Sequence, residues 1–326
     1  MYIKDLKFSL WADFIERDYL DNEFKKLIDD KIINGATSNP AIFKNAILTS
    51  KAYASQLSKL VNKTPKEKYE AVAIFDIQKA ADILKPLYES NDDGYVSIEV
   101  DPYLCDDAQA TIEEGRRLYK LINRKNIMIK VPATTAGYEA MKTLTSEGIA
   151  VNATLVFKKS QAISCAKAFK EGITKYGKKV DTVISVFVSR VDRALDTILS
   201  KKNIEVTLSG IYNSADIYNA IEEINVDGCR TLFASTGVKD DSLHSHYYIE
   251  KLLAYNSVNT APIDTIYAYV QEGSRRSALP ISQDKIDKHF NDIKNAGINF
   301  EDVLDKQIED GLIAFKEAFK DILESL

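Results

Sequence analysis

A basic excess is absent from this 326-residue sequence: 48 Asp and Glu outweigh 43 Lys and Arg and leave a net charge of −5. A nucleic acid or other extended polyanion needs a sustained cationic surface, so such partners are not expected, whereas a small phosphate ester needs only a few local cations. Cysteine is scarce as well. Cys105, Cys165 and Cys229 are odd in number, widely spaced and form no C-x-x-C pair, which argues against a disulfide framework or zinc ribbon and for a reduced cytoplasmic protein. No run of 18 apolar residues occurs, and Met1 to Lys7 carry charges with no apolar h-region, so neither membrane insertion nor secretion is expected. Fixed-period repeats and low-complexity tracts are missing too. What is present in ordinary amount is core-forming material, with 45% hydrophobic and 28% charged residues.

Strand-like and helix-like patterns alternate along the chain. Strands are expected at 8–13, 32–40, 95–100, 127–131, 150–157, 182–188, 230–235 and, most weakly, 257–262, and the second should stop at Pro40, which suits the first turn of a helix. Helices are expected at 23–31, 106–123, 135–146, 159–176, 192–200 and 214–224. A helical insertion fills 43–89, with a start signal at Thr64, Pro65 and Glu67 that has the form of a capping box. Helices also occupy 283–325, where Leu304, Ile308, Leu312, Phe315, Phe319 and Leu323 recur every three or four residues. That stripe should cover the fold, although a partner helix would use the same face. Eight strands alternating with helices predict a single (β/α)8 TIM barrel over 1–326. A doubly wound open sheet is the rival, but no G-x-G-x-x-G follows any strand.

One charge stands out in this pattern. Ile127-Met128-Ile129-Lys130-Val131 is apolar on both faces except for Lys130. Taken alone, a strand lysine more often snorkels to water, but a lysine held in a dry pocket has its pKa drawn down from about 10.4 and can attack a carbonyl. Parity gives Lys130 company, because side chains alternate along strands. Val96, Ile98 and Val100 oppose Ser97, Glu99 and Asp101; Ile127, Ile129 and Val131 oppose Met128 and Lys130. Val151, Ala153 and Leu155 oppose Asn152 and Thr154; Ile184, Val186 and Val188 oppose Ser185, Phe187 and Ser189; and Ser9, Trp11 and Asp13 share a face. In a barrel the polar faces should point inward and converge at the C-terminal mouth, where a single polar residue would mean little but a set does.

Six stretches complete the picture: Leu10-Trp11-Ala12-Asp13, Gly35 to Phe43 (GATSNPAIF), Ser97 to Pro102 (SIEVDP), Ile129 to Thr134 (IKVPAT), Val151 to Phe157 (VNATLVF) and Ser185 to Arg190 (SVFVSR), followed by Ala234-Ser235-Thr236-Gly237. In this order they closely resemble the transaldolase family, Schiff-base enzymes of the pentose phosphate pathway and carbohydrate metabolism. The resemblance implies that Lys130 forms the imine with the ketose C2 carbonyl and that Asp13 takes the C4 hydroxyl proton. It also implies that Glu99 and Thr154 hold the water of dehydration and hydrolysis, and that Asn39, Asn152 and Ser185 bind the dihydroxyacetone hydroxyls. The expected partners are sedoheptulose 7-phosphate, fructose 6-phosphate, glyceraldehyde 3-phosphate and erythrose 4-phosphate, with no cofactor. Oligomeric state is left open, a homodimer included.

The sugar phosphate should meet Arg190 and Ser235, although Arg190 could instead pair with Asp192 or Asp196. Some transaldolases carry an arginine two positions after the serine; this chain has Gly237 there, and Lys239 is the nearest replacement. Fructose-6-phosphate aldolases resemble the same pattern but carry tyrosine at the position of Phe187, whose ring here either keeps water from the enamine or simply packs. That aldolase activity, and a non-catalytic barrel that binds sugar phosphates or a protein partner, are the alternatives. His244 and His246 lack the spacing of a helical zinc pair and no carboxylate motif accompanies them in sequence, so they are expected as surface or helix-start residues, with no metal.

Overall fold

The computed structural model describes residues 2–239 and 242–326. In chain order they form β1 (Ser9–Ala12), α1 (Arg17–Asp21), α2 (Glu23–Asp29), β2 (Gly35–Thr37), α3 (Pro40–Thr49), α4 (Ala54–Leu57), α5 (Pro65–Glu89), β3 (Tyr95–Glu99), α6 (Ala108–Ile122), β4 (Ile127–Pro132) and α7 (Thr135–Thr145). These are followed by β5 (Val151–Val156), α8 (Lys159–Tyr176), β6 (Thr182–Phe187), α9 (Ser189–Lys201), α10 (Ser209–Ile224), β7 (Cys229–Ala234), α11 (Tyr247–Lys251), β8 (Ser257–Ala261), α12 (Ile263–Glu272), α13 (Gln283–Asn295) and α14 (Phe300–Ser325). The strands pair in parallel, in sequence order, and β8 pairs back onto β1 to close a (β/α)8 barrel.

Local chemistry accounts for where the helices begin. Asn39 accepts from the Ile42 N–H and Pro40 opens α3; Thr64 and Glu67 form the expected capping box on α5; Asp107 caps α6; and Thr134, straight after β4, caps α7 through the Gly137 N–H. Three short helices escaped the sequence reading, α1, α11 and α12, none longer than ten residues and therefore weak in periodicity.

Parity holds on most strands. Val96, Ile98, Ile127, Ile129, Val131, Val151, Ala153, Ile184 and Val186 pack in the core shared with the helix ring, whereas Trp11, Tyr95, Met128, Val183, Leu232 and Val258 form a separate inner cluster. Leu155 breaks the pattern. A register shift between Ala153 and Val156, with Leu155 at φ 56°, turns Leu155 into the inner cluster and gives the outer place to Val156. Asp101 departs as well: β3 ends at Glu99, and Asp101 caps a short turn and pairs with Lys66 at 2.6 Å, outside the barrel.

The C-terminal stripe covers the fold, as expected. Along α14, Leu304 and Phe315 join the inner cluster, and Phe319 and Ile322 pack into the outer core. The helix lies against α3, α5, α9 and β5.

At the N-terminal end of the barrel, Asp93 accepts from both terminal nitrogens of Arg230 at 2.9 and 3.0 Å and from Trp11 Nε1 at 3.0 Å. The indole pinned in this way is fully buried beside Gly35, where a Cβ would stand 2.7 Å from the ring. Because Trp11 cannot retreat without breaking its hydrogen bond, Gly35→Ala is expected to cost about 1–3 kcal/mol, seen as a lower urea midpoint with an unchanged slope.

Candidate active site

Lys130 projects from β4 into the barrel and is 5% exposed. The register aligns it with Glu99 on β3 and Asn152 on β5. Its Nζ donates to the Ser38 carbonyl at 3.1 Å and forms an ion pair with Glu99 Oε2 at 3.6 Å, with the Phe315 ring of α14 5.8 Å away. Ser38 is itself fixed, since its hydroxyl donates to the Ser97 carbonyl at 2.7 Å.

Two carboxylates face this amine, and burial shifts the pKa of both upward. Burial pushes Glu99 up to about 7, and the nearby Lys130 charge only partly offsets that effect. A carboxyl group that changes state near neutral pH is suited to both giving and taking protons. Asp13 follows β1, where its N–H continues the ladder to the Ala261 carbonyl at 2.9 Å, and Oδ1 accepts from Thr37 Oγ1 at 2.6 Å. Thr37 in turn shares a 2.7 Å hydrogen bond with Thr260 of β8. Burial raises the Asp13 pKa, opposed by the charge of Lys130, the Thr37 hydrogen bond and the charge of Arg190.

Among the described residues, Glu99 Oε1 and Oε2 and Thr154 Oγ1 are buried without a hydrogen-bond partner. They lie on the strands flanking Lys130, and unmet buried oxygens cost about 1–3 kcal/mol each, which folds tolerate chiefly where chemistry needs them. Asn152 and Ser185 belong to a connected chain, in which Ser185 Oγ donates to Asn152 Oδ1 at 2.6 Å and Asn152 Nδ2 donates to Ser97 Oγ at 3.3 Å. Asn39 is half committed, because its Oδ1 caps α3.

Arg190 stands at the start of α9, its guanidinium 5.2 Å from the Phe187 ring, which also packs on Phe157 at 5.2 Å. Burial lowers the Arg190 pKa, and Arg193 adds to that while Asp13 opposes it. Among the described residues Arg190 makes no ion pair: Asp192 Oδ1 accepts from the Gly210 N–H at 2.7 Å and Asp196 Oδ1 from the Thr207 N–H at 2.9 Å. Ser235 shares a 3.1 Å hydrogen bond with Ser189. Lys239 is exposed, and no contact among the described residues draws it to this group. Cys105 is buried beside Asp106, and burial raises its thiol pKa, the condition of an inert cysteine.

Sequence reasoning missed Ser38 and Phe315 as neighbours of the amine, and Thr37 and Thr260 as the hydroxyl chain that reaches Asp13. Thr37 and Ser38 lay within the GATSNPAIF stretch but were passed over for Asn39. Thr260 sat in the weakest strand, and Phe315 counted only as one member of a helical stripe.

The chain matches the family described as Transaldolase/Fructose-6-phosphate aldolase over residues 10–326. It is 43% identical over 320 residues to the transaldolase of Helicobacter pylori (strain P12), covering 98% of this chain and 99% of that protein. It is 46% identical over 330 residues to the transaldolase of Campylobacter jejuni subsp. jejuni serotype O:23/36 (strain 81-176), again covering 98% and 99%.

The raised pKa of Glu99 has a consequence for stability. The folded chain keeps this proton up to about pH 7 while the unfolded chain releases it near 4.5, so the folded state loses stability as pH rises through that interval, by up to about 3 kcal/mol. Urea unfolding from pH 4.5 to 7.5 should show a shallower fall in Glu99→Gln than in the wild type.

Proposed function

Because the chain belongs to the transaldolase/fructose-6-phosphate aldolase family, we propose that Lys130 is the amine through which it carries a dihydroxyacetone unit from one sugar to another. It is an enzyme with transaldolase function, a transferase, and it acts on sugar phosphates. The observation that carries the site assignment is the burial of Lys130 on β4 against Glu99, inside a ring of hydrogen-bonded hydroxyl and amide groups.

In this reading the Lys130 amine adds to the C2 carbonyl of sedoheptulose 7-phosphate, and the resulting carbinolamine loses water to give a protonated imine. Glu99, with Thr154, supplies and removes protons through that water, a task that its pKa near neutrality fits. Asp13 then accepts the C4 hydroxyl proton as the C3–C4 bond breaks. The bonding pair passes into the imine and forms an enamine, and erythrose 4-phosphate leaves. Glyceraldehyde 3-phosphate enters, the enamine carbon attacks its aldehyde, Asp13 returns the proton, and hydrolysis of the imine frees fructose 6-phosphate. Asn152 and Ser185, already bonded to each other, present donors to the dihydroxyacetone hydroxyls, together with the uncommitted amide nitrogen of Asn39. Arg190 and Ser235 receive the phosphate, with Lys239 as the outlying cation. Three free, buried cysteines support a reduced cytoplasmic setting within the pentose phosphate pathway. Among the described residues no helix is long and apolar enough to cross a membrane.

Free aldol cleavage of fructose 6-phosphate uses the same lysine chemistry and is the second reading. Phe187 favours transfer: its ring is held between Phe157 and Arg190 and has no hydroxyl with which to deliver water to the enamine. Turnover of fructose 6-phosphate should therefore depend on an added aldehyde acceptor.

Borohydride reduction in the presence of fructose 6-phosphate should place one adduct on Lys130 by peptide mapping; an adduct on another lysine, or none, would sink the mechanism. Arg190→Ala should raise KM for phosphorylated substrates about 10- to 100-fold, the worth of a charge-assisted hydrogen bond, with a smaller effect on kcat. Steady-state kinetics would check this.

A further inference from the structure

Where the chain enters α11, His244 and His246 just before the helix and Glu250 within it bring one ligand atom each within 4.8 Å of one another. The sequence hid this grouping: Glu250 stands four residues after His246, but α11 went unrecognised, so the two were not placed on one helical turn. His246, 5% exposed, stands at the N-cap of α11, a helix start as expected, and His244 lies at the surface.

Glu250 is oriented for a ligand. Its Oε1 accepts from the Ser274 N–H at 2.8 Å, which turns Oε2 toward both imidazoles. Oε2 is 3.1 Å from His244 Nε2 and 3.6 Å from His246 Nε2. A hydrogen bond satisfies only the first of these contacts, whereas a cation between the three groups satisfies all of them. Tetrahedral bonds of about 2.0–2.1 Å put neighbouring ligand atoms roughly 3.3 Å apart, and the two observed separations bracket that value. Two imidazoles and one carboxylate, with no thiolate, are the donor set of zinc and its neighbours, not of calcium or magnesium.

We propose that His244, His246 and Glu250 form a site for one zinc ion, with the fourth position left to water. The exposed side of His244 provides the way in and the freedom to close the geometry. A bound ion would clamp the start of α11 to Glu250 and, through it, to the backbone at Ser274 beyond α12.

The test is calorimetric titration of the full chain, stripped with chelator, using zinc chloride alone. One zinc per chain is expected, with affinity at least tenfold weaker in His244→Ala, an exposed position that folding does not need. The same loss is expected in Glu250→Gln, which retains an oxygen for the Ser274 N–H. Zinc should raise the thermal midpoint of the wild type and not of His244→Ala. No saturable uptake, or an affinity unchanged in either variant, overturns the proposal.

Discussion

The Lys130–Glu99 pair is the constraint around which the rest of the molecule is arranged. Removing two charged groups from water carries a penalty of several kcal/mol per ion, and attraction at 3.6 Å recovers only part of it. Glu99 answers by holding its proton up to about pH 7, and Lys130 by donating to the Ser38 carbonyl. Neither arrangement would persist in a yielding environment. The closed parallel barrel prevents relaxation, because every strand is hydrogen-bonded on both sides and the outer faces are locked under helices.

The same stiffness explains how the polar groups are graded along the barrel. At the N-terminal end, Trp11, Asp93 and Arg230 satisfy one another. Further along, Ser97, Asn152 and Ser185 are bonded together but keep spare capacity. Toward the mouth, Glu99 and Thr154 have buried oxygens with no hydrogen-bond partner among the described residues. Unmet hydrogen-bonding capacity therefore reaches the C-terminal ends of the strands, where barrels of this kind carry their chemistry.

Much of this was legible from local pattern. A period of two placed Lys130, Glu99, Asn152, Thr154 and Ser185 on one set of faces, and Thr64 with Glu67 marked a helix start, because both signals depend only on near neighbours. The bulge at Leu155 was not legible: leucine is no marker of positive φ, and the register shift is fixed by how β5 meets β6. Phe315 was seen as apolar but not as a neighbour of Lys130, since 185 residues separate the two and periodicity carries no long-range address. The placement of Arg190 free of Asp192 depended on α10, whose N–H at Gly210 claims that carboxylate.

The packing of α14 across the barrel ties chemistry to chain length. Phe315 stands over an amine contributed by residue 130, Gly311 leaves room for Leu155 and Arg190, and β1 finds its second neighbour only in β8. The earliest strand and the last helix must therefore both be in place before the amine is dry. A chain emerging from the ribosome displays Lys130, Glu99 and Asp13 long before it encloses any of them, so the dry surroundings of the amine arrive late instead of growing with the fold.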